Sequence, residues 1–291
     1  MSDEYGDYGS SGREAARVAD VLRARMTDAY YPLNSMLPTQ RDLAREFGVS
    51  RDTVQRVLRE LTVEGWIVQR QGSGSRVVRA QEIHSPTSSK RPDHTVTLGT
   101  LISRAFDQSE VALDVFTLSS ESLDAHVRLQ VERIRSGVIA PQHIALRVLM
   151  PDVSLDFPYW RTSTADHDQL LKDRFVAITN RHVASLHSVI GDLKSIEVVP
   201  FVDFEVRRVR LVPAFKLYLV NGEEALFGTY KVFKRPITLD DGEEVETTDV
   251  LGLGAGLTHY VKGADPYSRG TVFFDEWQAW FDSVWEFLAF N

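Results

Sequence analysis

The chain contains no cysteine, so it has neither a disulfide framework nor a thiolate metal site to draw on. It has no apolar run near the ~18–20 residues that a membrane-spanning helix requires, and no apolar stretch near its start of the kind a secretory signal needs. These absences set the expectation of a cytoplasmic protein without a membrane segment. Lysine is missing too from the first 80 residues, where all 12 basic side chains are Arg. With 291 residues, 43% of them hydrophobic, the chain can bury one large core or two smaller ones.

The net charge of −8 is unevenly divided along the chain. Residues 1–80 hold 12 Arg and 11 acids and stand at +1, whereas residues 81–291 hold 21 bases and 30 acids and stand at −9. Asp3, Glu4 and Asp7 lie in a Tyr/Gly/Ser-rich tail, residues 1–11, whose composition predicts disorder. Residues 11–80 alone, with 12 Arg and 8 acids, stand at +4. A basic reader joined to an acidic module fits this division.

Ala15, Ala16, Val18, Ala19, Leu22 and Met26 form a helical stripe, and Tyr30, Tyr31 and Pro32 mark its end. In LPTQRDLAREFG, Thr39 is placed to cap a second helix, with Asp42 as its capping-box partner. Leu43, Ala44 and Phe47 make its inner face, and Gly48 stops it. In VSRDTVQRVLRELTVEGW, Ser50 is the N-cap and Val54, Val57, Leu58 and Leu61 the buried stripe. Arg51, Asp52, Gln55, Arg56 and Arg59 therefore lie off the core. Two helices joined by a tight Gly turn, the second presenting Arg and Gln near its start, form the geometry that reads a major groove. Arg holds a guanine edge by two hydrogen bonds and Gln an adenine edge likewise. WIVQRQGSGSRVV then alternates and turns at Gly72-Ser73-Gly74, a two-stranded wing flanked by Arg70 and Arg76.

With LPTQRDLA (37–44), VSRDTV (49–54), EGW (64–66) and QGSGSRV (71–77) in order, the chain resembles the GntR family of bacterial regulators. The resemblance implies that Arg41 grips the phosphate backbone and that Arg51 reaches a base edge. It implies further that Thr53 and the wing glycines sit against the sugar-phosphate chain. Gln55 occupies a position that is often Arg in the family, which leaves the operator sequence open. The DNA-binding set is Thr39, Arg41, Ser50, Arg51, Thr53, Gln55, Arg59, Arg70, Gly72, Ser73 and Gly74. The expected partner is a double-stranded operator, read by a homodimer because one winged helix spans few base pairs.

The domain plan is a winged helix-turn-helix over 12–80, a polar linker over 81–95, and an α/β domain over 96–291 that senses an effector and dimerises. EVALDVFTLSS reads as a strand running into Ser119-Ser120 as a helix cap, and ESLDAHVRLQVERIRSG as a helix ended by Gly137. HIALRVLMPD is a strand and DQLLKDRFVAITNRHVASLHSVIGDL a long helix. SIEVVPFV, VRRVRLV, FKLYLVNG and EALFGTYKVF are four further strands, the last pair turned by Asn221-Gly222. This alternation predicts a layered α/β domain and argues against the all-helical effector domain of one GntR branch. The overall class is multidomain α+β.

AFKLYLVNGEEALFGTY resembles the phospholipase D signature of His, any residue, Lys, four residues, Asp, six residues, Gly and Ser or Thr. Lys216, Asn221 and Gly228-Thr229 fall at that spacing, with Asn221 at the Asp position and Ala214 at the nucleophilic His. The strand, Ser-capped helix and second strand upstream resemble that superfamily's opening. A hairpin around a good Asn-Gly turn accounts for the same residues without any ligand. Because Ala214 cannot attack a phosphodiester, the resemblance implies a catalytically degenerate domain that keeps a pocket. The effector candidates are Lys216, Tyr218, Asn221 and Thr229, for an anionic or polyol ligand. A catalytically active C-terminal domain is an alternative, as is a chorismate-lyase-like domain binding a sugar phosphate.

No cofactor or metal is expected. His182 and His187, five apart, fall on different helix faces, and GLGAG (252–256) lacks the strand-to-helix setting of a dinucleotide site. Trp277, Trp280, Phe281, Val284, Trp285 and Leu288 form a stripe for core or dimer packing.

Overall fold

The apolar spacing of the first 80 residues builds three helices and a ribbon in the computed structural model. It describes residues 7–28, 30–32, 34–63, 66–70, 74–78, 83–84, 97–239, 243–251 and 256–291. The chain divides into two compact units, Met1–Glu82 and Ile83–Asn291.

In the first unit, α1 (Asp7–Thr27), α2 (Gln40–Phe47) and α3 (Arg51–Val63) precede an antiparallel ribbon of β1 (Ile67–Arg70) and β2 (Gly74–Val77). Helix α1 begins inside the segment expected to be disordered. Once its apolar stripe nucleates a helix, each added residue needs only one further hydrogen bond, which carries it back through Gly/Ser sequence. Val18, Ala19, Leu22 and Met26 pack with Val54, Val57, Leu58, Leu61 and Trp66, all at most 1% exposed. Arg23, buried on α1, donates to Asp20 at 2.9 Å and to Glu60 of α3 at 2.5 Å. A segment that the sequence pattern did not single out adds an edge to the ribbon: Leu37 N–H donates to Ser75 O and Val77 N–H to Ser35 O.

In the second unit, seven strands form one mixed sheet in the order β3-β11-β8-β7-β4-β5-β6. They are β3 (Ile83–His84), β4 (Glu110–Phe116), β5 (His143–Pro151), β6 (Phe201–Val209), β7 (Phe215–Val220), β8 (Glu224–Thr229) and β11 (Leu257–Val261). Strands β4, β5 and β6 run parallel, joined through α5 (Glu121–Arg135) and α6 (Ala165–Ser195). Strands β7, β8 and β11 continue the sheet antiparallel. One sheet face packs on α4 (Leu98–Phe106), α5 and α6. The other packs on α7 (Arg269–Phe287), where Phe281, Val284 and Trp285 are buried. The Trp stripe is therefore core packing within this unit, although Leu288 at its end stays exposed.

Several expected boundaries differ. SIEVVPFV and VRRVRLV do not form two strands: one strand, β6, covers Phe201–Val209, because α6 runs to Ser195 and the chain then turns through Glu197 at a φ of 53°. EALFGTYKVF splits at Tyr230: β8 stays in the sheet, while β9 (Lys231–Thr238) pairs with β10 (Glu244–Leu251) as a separate ribbon. Ile83 and His84, assigned to the linker, pair with Leu257 and Thr258. Residues 252–255 lie outside the described residues.

Candidate nucleic-acid interface and a buried Lys216 cluster

Two caps fix the reading helices. Thr39 Oγ1 accepts from Asp42 N at 3.2 Å, which starts α2. The Asp42 carboxylate accepts a hydrogen bond from the Thr39 hydroxyl at 2.6 Å instead of reaching back to the backbone, and that bond holds its pKa below the usual carboxylate value. Gly48, at φ 66°, closes α2 with its N–H on Ala44 O, the left-handed C-cap that glycine adopts without strain. Ser50 Oγ accepts from Thr53 N at 3.1 Å and starts α3. Replacing Ser50 by Ala should cost about 1 kcal/mol of this unit's stability, read as a lower urea midpoint. An unchanged midpoint would mean that the cap contributes nothing.

With α3 packed through Val54, Val57, Leu58 and Leu61, the side chains of Arg51, Asp52, Gln55, Arg56 and Arg59 are exposed on the opposite side. Arg51 and Gln55 are one turn apart at the N-terminal half of the helix. Thr39, Arg41 and Ser50 are exposed as well. Thr53 is 5% exposed and its hydroxyl lies 2.9 Å from Ser50 Oγ, so it belongs to the buried cap and not to the exposed side of α3. Arg17, Arg23 and Arg25 have structural partners: Phe47 O at 2.9 Å, Asp20 with Glu60, and Glu46 at 2.5 Å. The basic excess that remains outward is carried by α2 and α3.

On the wing, Gly74 has a φ of 81°, a left-handed backbone that favours glycine; a Cβ there would press on the flexible end of Met36, with Cε at 3.0 Å. Arg76 donates to Asn34 O at 3.1 Å. Gly72 and Ser73 lie outside the described residues, and the Arg70 side chain is not among the described ones.

In the second unit the four effector candidates separate. Lys216 and Tyr218 point to the α5 face, at the carboxyl end of β4. Both are 2% exposed. Burial pulls the Lys216 ammonium down to about 7, with the Glu121 carboxylate acting in the opposite direction. Asn221 sits five residues along β7, about 17 Å at strand rise. There its Oδ1 accepts from Ala112 N at 2.8 Å and its φ is 49°, so it fastens the hairpin to β4. Thr229 pairs with Phe215 at the strand end and is exposed, on the alternate face from Lys216. Gly228 has a packing reason of its own, since a Cβ would lie 2.6 Å from Gly256 O.

What surrounds Lys216 comes from elements distant in sequence. Ser120 and Glu121 begin α5 at the end of β4, and Ser120, expected as a side-chain cap, makes no cap hydrogen bond. Tyr230 Oη accepts from Leu118 N at 2.8 Å and lies 3.3 Å from Thr117 Oγ1; burial pushes its phenol up to about 12. One turn along α5, Asp124 accepts from His182 Nδ1 at 2.7 Å and from Ser185 Oγ at 2.7 Å. His182 is thus tied to a carboxylate, while His187 lies against Phe204; no metal-ligating cluster is found among the described residues. Ala214, at the position of the phospholipase D nucleophile, contributes its carbonyl to Tyr230 N at 2.9 Å. The only sequence signal for this cluster was Ser119-Ser120 after a strand.

The first unit is a winged helix-turn-helix with its second helix presenting Arg and Gln outward, the class of domain that enters a major groove. Residues 14–77 match the sequence model of the bacterial regulatory proteins of the gntR family, and this unit is a GntR-family helix-turn-helix domain. The Uxu operon regulator of Haemophilus influenzae is 33% identical over 81 residues, 28% of this chain and 30% of that protein. The histidine utilization repressor of Pseudomonas putida is 37% identical over 60 residues, 21% of this chain and 24% of that one. The likeness thus spans under a third of either relative. A solved structure of TrmBL2, an archaeal chromatin protein, aligns over 93% of the chain at 13% identity, but with a TM-score of 0.28 it carries no argument about the fold. No described helix is long and apolar enough to cross a membrane.

Proposed function

We propose that the chain is a GntR-type transcriptional regulator that binds a double-stranded DNA operator as a cytoplasmic homodimer and responds to a small effector held by its second unit. The observation that carries the DNA reading is the exposed Arg51, Gln55, Arg56 and Arg59 face of α3, opposite a stripe buried to within 1%. Arg51 and Gln55 take base edges. Arg41 and Arg59, with the N–H groups at the starts of α2 and α3 and the wing residues Arg70, Gly72, Ser73 and Gly74, take the phosphates. Thr39 and Ser50 present those helix starts, and Thr53 acts through the Ser50 cap. The matched relatives, named as an operon regulator and a repressor, support this reading.

Selection from randomised duplexes tests it. The enriched sites should be two-fold symmetric, with half-sites about one helical turn apart, and sedimentation should give two chains per site. Unrelated enriched sequences, or one chain per site, would contradict it.

The second unit fits a phospholipase D-like sheet that has lost catalysis. The parallel β4-α5-β5 unit, the β7–β8 hairpin carrying Lys216 and the Ala214 substitution support that reading. The effector residues are Lys216 and Tyr218, joined by Ser120 and Glu121. Asn221 and Thr229, distant from Lys216, position the hairpin.

A further inference from the structure

Three buried polar atoms near the carboxyl end of β4 have no hydrogen-bond partner among the described residues: Ser120 Oγ, Thr179 Oγ1 and His182 Nε2. Their residues are 0%, 1% and 3% exposed. A buried polar atom that nothing satisfies is costly, so three together mark a place where something polar belongs. They belong to one neighbourhood. His182 is held by Asp124, one turn beyond Ser120 on α5, and Thr179 lies one turn before His182 on α6. Helices α5 and α6 start at the same end of the parallel strands, where open α/β sheets bind their ligands. With Nδ1 of His182 on the Asp124 carboxylate at 2.7 Å, Nε2 is the ring atom left to a further polar partner. The two hydroxyls both donate and accept.

Lys216, whose ammonium is disfavoured by burial, and Arg128, which donates to Ser185 at 2.8 Å, are accompanied by the Glu121 and Asp124 carboxylates, so the neighbourhood offers no excess of positive charge to an anion. An aromatic wall adjoins. Leu118 and Tyr230 pack in one cluster with Phe157, Trp160 and Phe175, and Trp160 stacks on Phe175 at 4.1 Å. Trp160 sits at a φ of 57°, a costly backbone for a bulky residue that persists where the surroundings impose it.

From this we infer that the second unit binds a neutral, polyhydroxylated, sugar-like molecule, whose hydroxyls satisfy Ser120, Thr179 and His182 while its ring or chain lies against the Trp160 wall. The inference rests on the effector-sensing reading above and narrows its ligand class from anionic or polyol to neutral polyol.

The test is thermal unfolding of the full chain against neutral aldoses, alditols and cyclitols (D-glucose, D-mannitol and myo-inositol among them), with glucose 6-phosphate and inorganic phosphate as anionic probes. A neutral probe at a hundredfold its Kd should raise Tm of the second unit by about 5 °C or more. Thr179→Val, which removes an unpartnered hydroxyl at constant shape, should keep or raise the unliganded Tm and lose that rise. An unliganded Thr179→Val variant of lower Tm overturns the proposal, because the hydroxyl is then already satisfied within the fold. A panel in which no neutral probe acts also overturns it. A rise with phosphates alone does so as well, yet leaves effector sensing standing. Operator affinity unmoved by every probe, with no Tm rise, removes both.

Discussion

Replacing Arg51 by alanine is expected to weaken operator binding about 5- to 150-fold per half-site, a loss of about 1–3 kcal/mol. The physical reason is position. Arg51 is the first residue of α3 and is exposed, and a guanidinium matches a guanine edge through two parallel hydrogen bonds. The control is Arg41→Ala on α2. Removing a phosphate-binding guanidinium there should weaken binding evenly across sequences and lower the salt slope by about one, with sequence preference intact. Fluorescence anisotropy on the selected operator and on single-base variants separates the two. Unchanged preference in the Arg51 variant would remove it from base reading.

The second large effect concerns Lys216. Its folded pKa lies near 7, against an ordinary value of 10.5, because burial disfavours the ammonium. Between those values the unfolded chain holds a proton that the folded one has released, so stability must rise with pH across that window. Below pH 7 the full cost of burying the charge is present, and above pH 10.5 it is gone. At 1.36 kcal/mol per unit the ceiling of this effect is about 5 kcal/mol. Removing Lys216 alone would strip buried Glu121 of its opposing charge, so the informative variant is Lys216→Met with Glu121→Gln. It should be more stable than the parent at pH 6 to 7, and the advantage should vanish towards pH 10.5. A constant difference between the two across this range would contradict a buried, titrating Lys216. Chemical denaturation of the second unit at stepped pH gives the comparison.

The reading helices were legible in the sequence because each requirement there is local. The 3.6-residue stripe of α3, the Ser50 cap and the Gly48 stop lie within 15 residues of one another, and the Gly-tipped alternation of β1 and β2 is equally short-range. The segment 34–37 was not legible, since it joins the ribbon through backbone bonds that leave no side-chain pattern. Strand β6 was divided because Ile196, Val198 and Val199 look like strand residues, whereas Ile196 and Val198 are 54% and 40% exposed in the turn after α6. The β9–β10 ribbon was missed for a related reason: β8 and β9 are separated only by Tyr230, whose hydroxyl is drawn to Leu118. For the second unit, Lys216 was found from spacing, but its surroundings were not. Glu121 acts on it from α5, a helix whose place depends on strand order, and spacing alone misplaced Asn221 and Thr229 beside it.

Reading of guanine edges by α3 in the major groove of a two-fold operator is tested by guanine-N7 methylation interference on the selected duplex, with the full chain. Methylation of at least one guanine in each half-site should block binding, and the Arg51→Ala variant should no longer distinguish the methylated duplex. Binding indifferent to every N7 methyl, or blocked only by methylation on the minor-groove side of adenine, would contradict it.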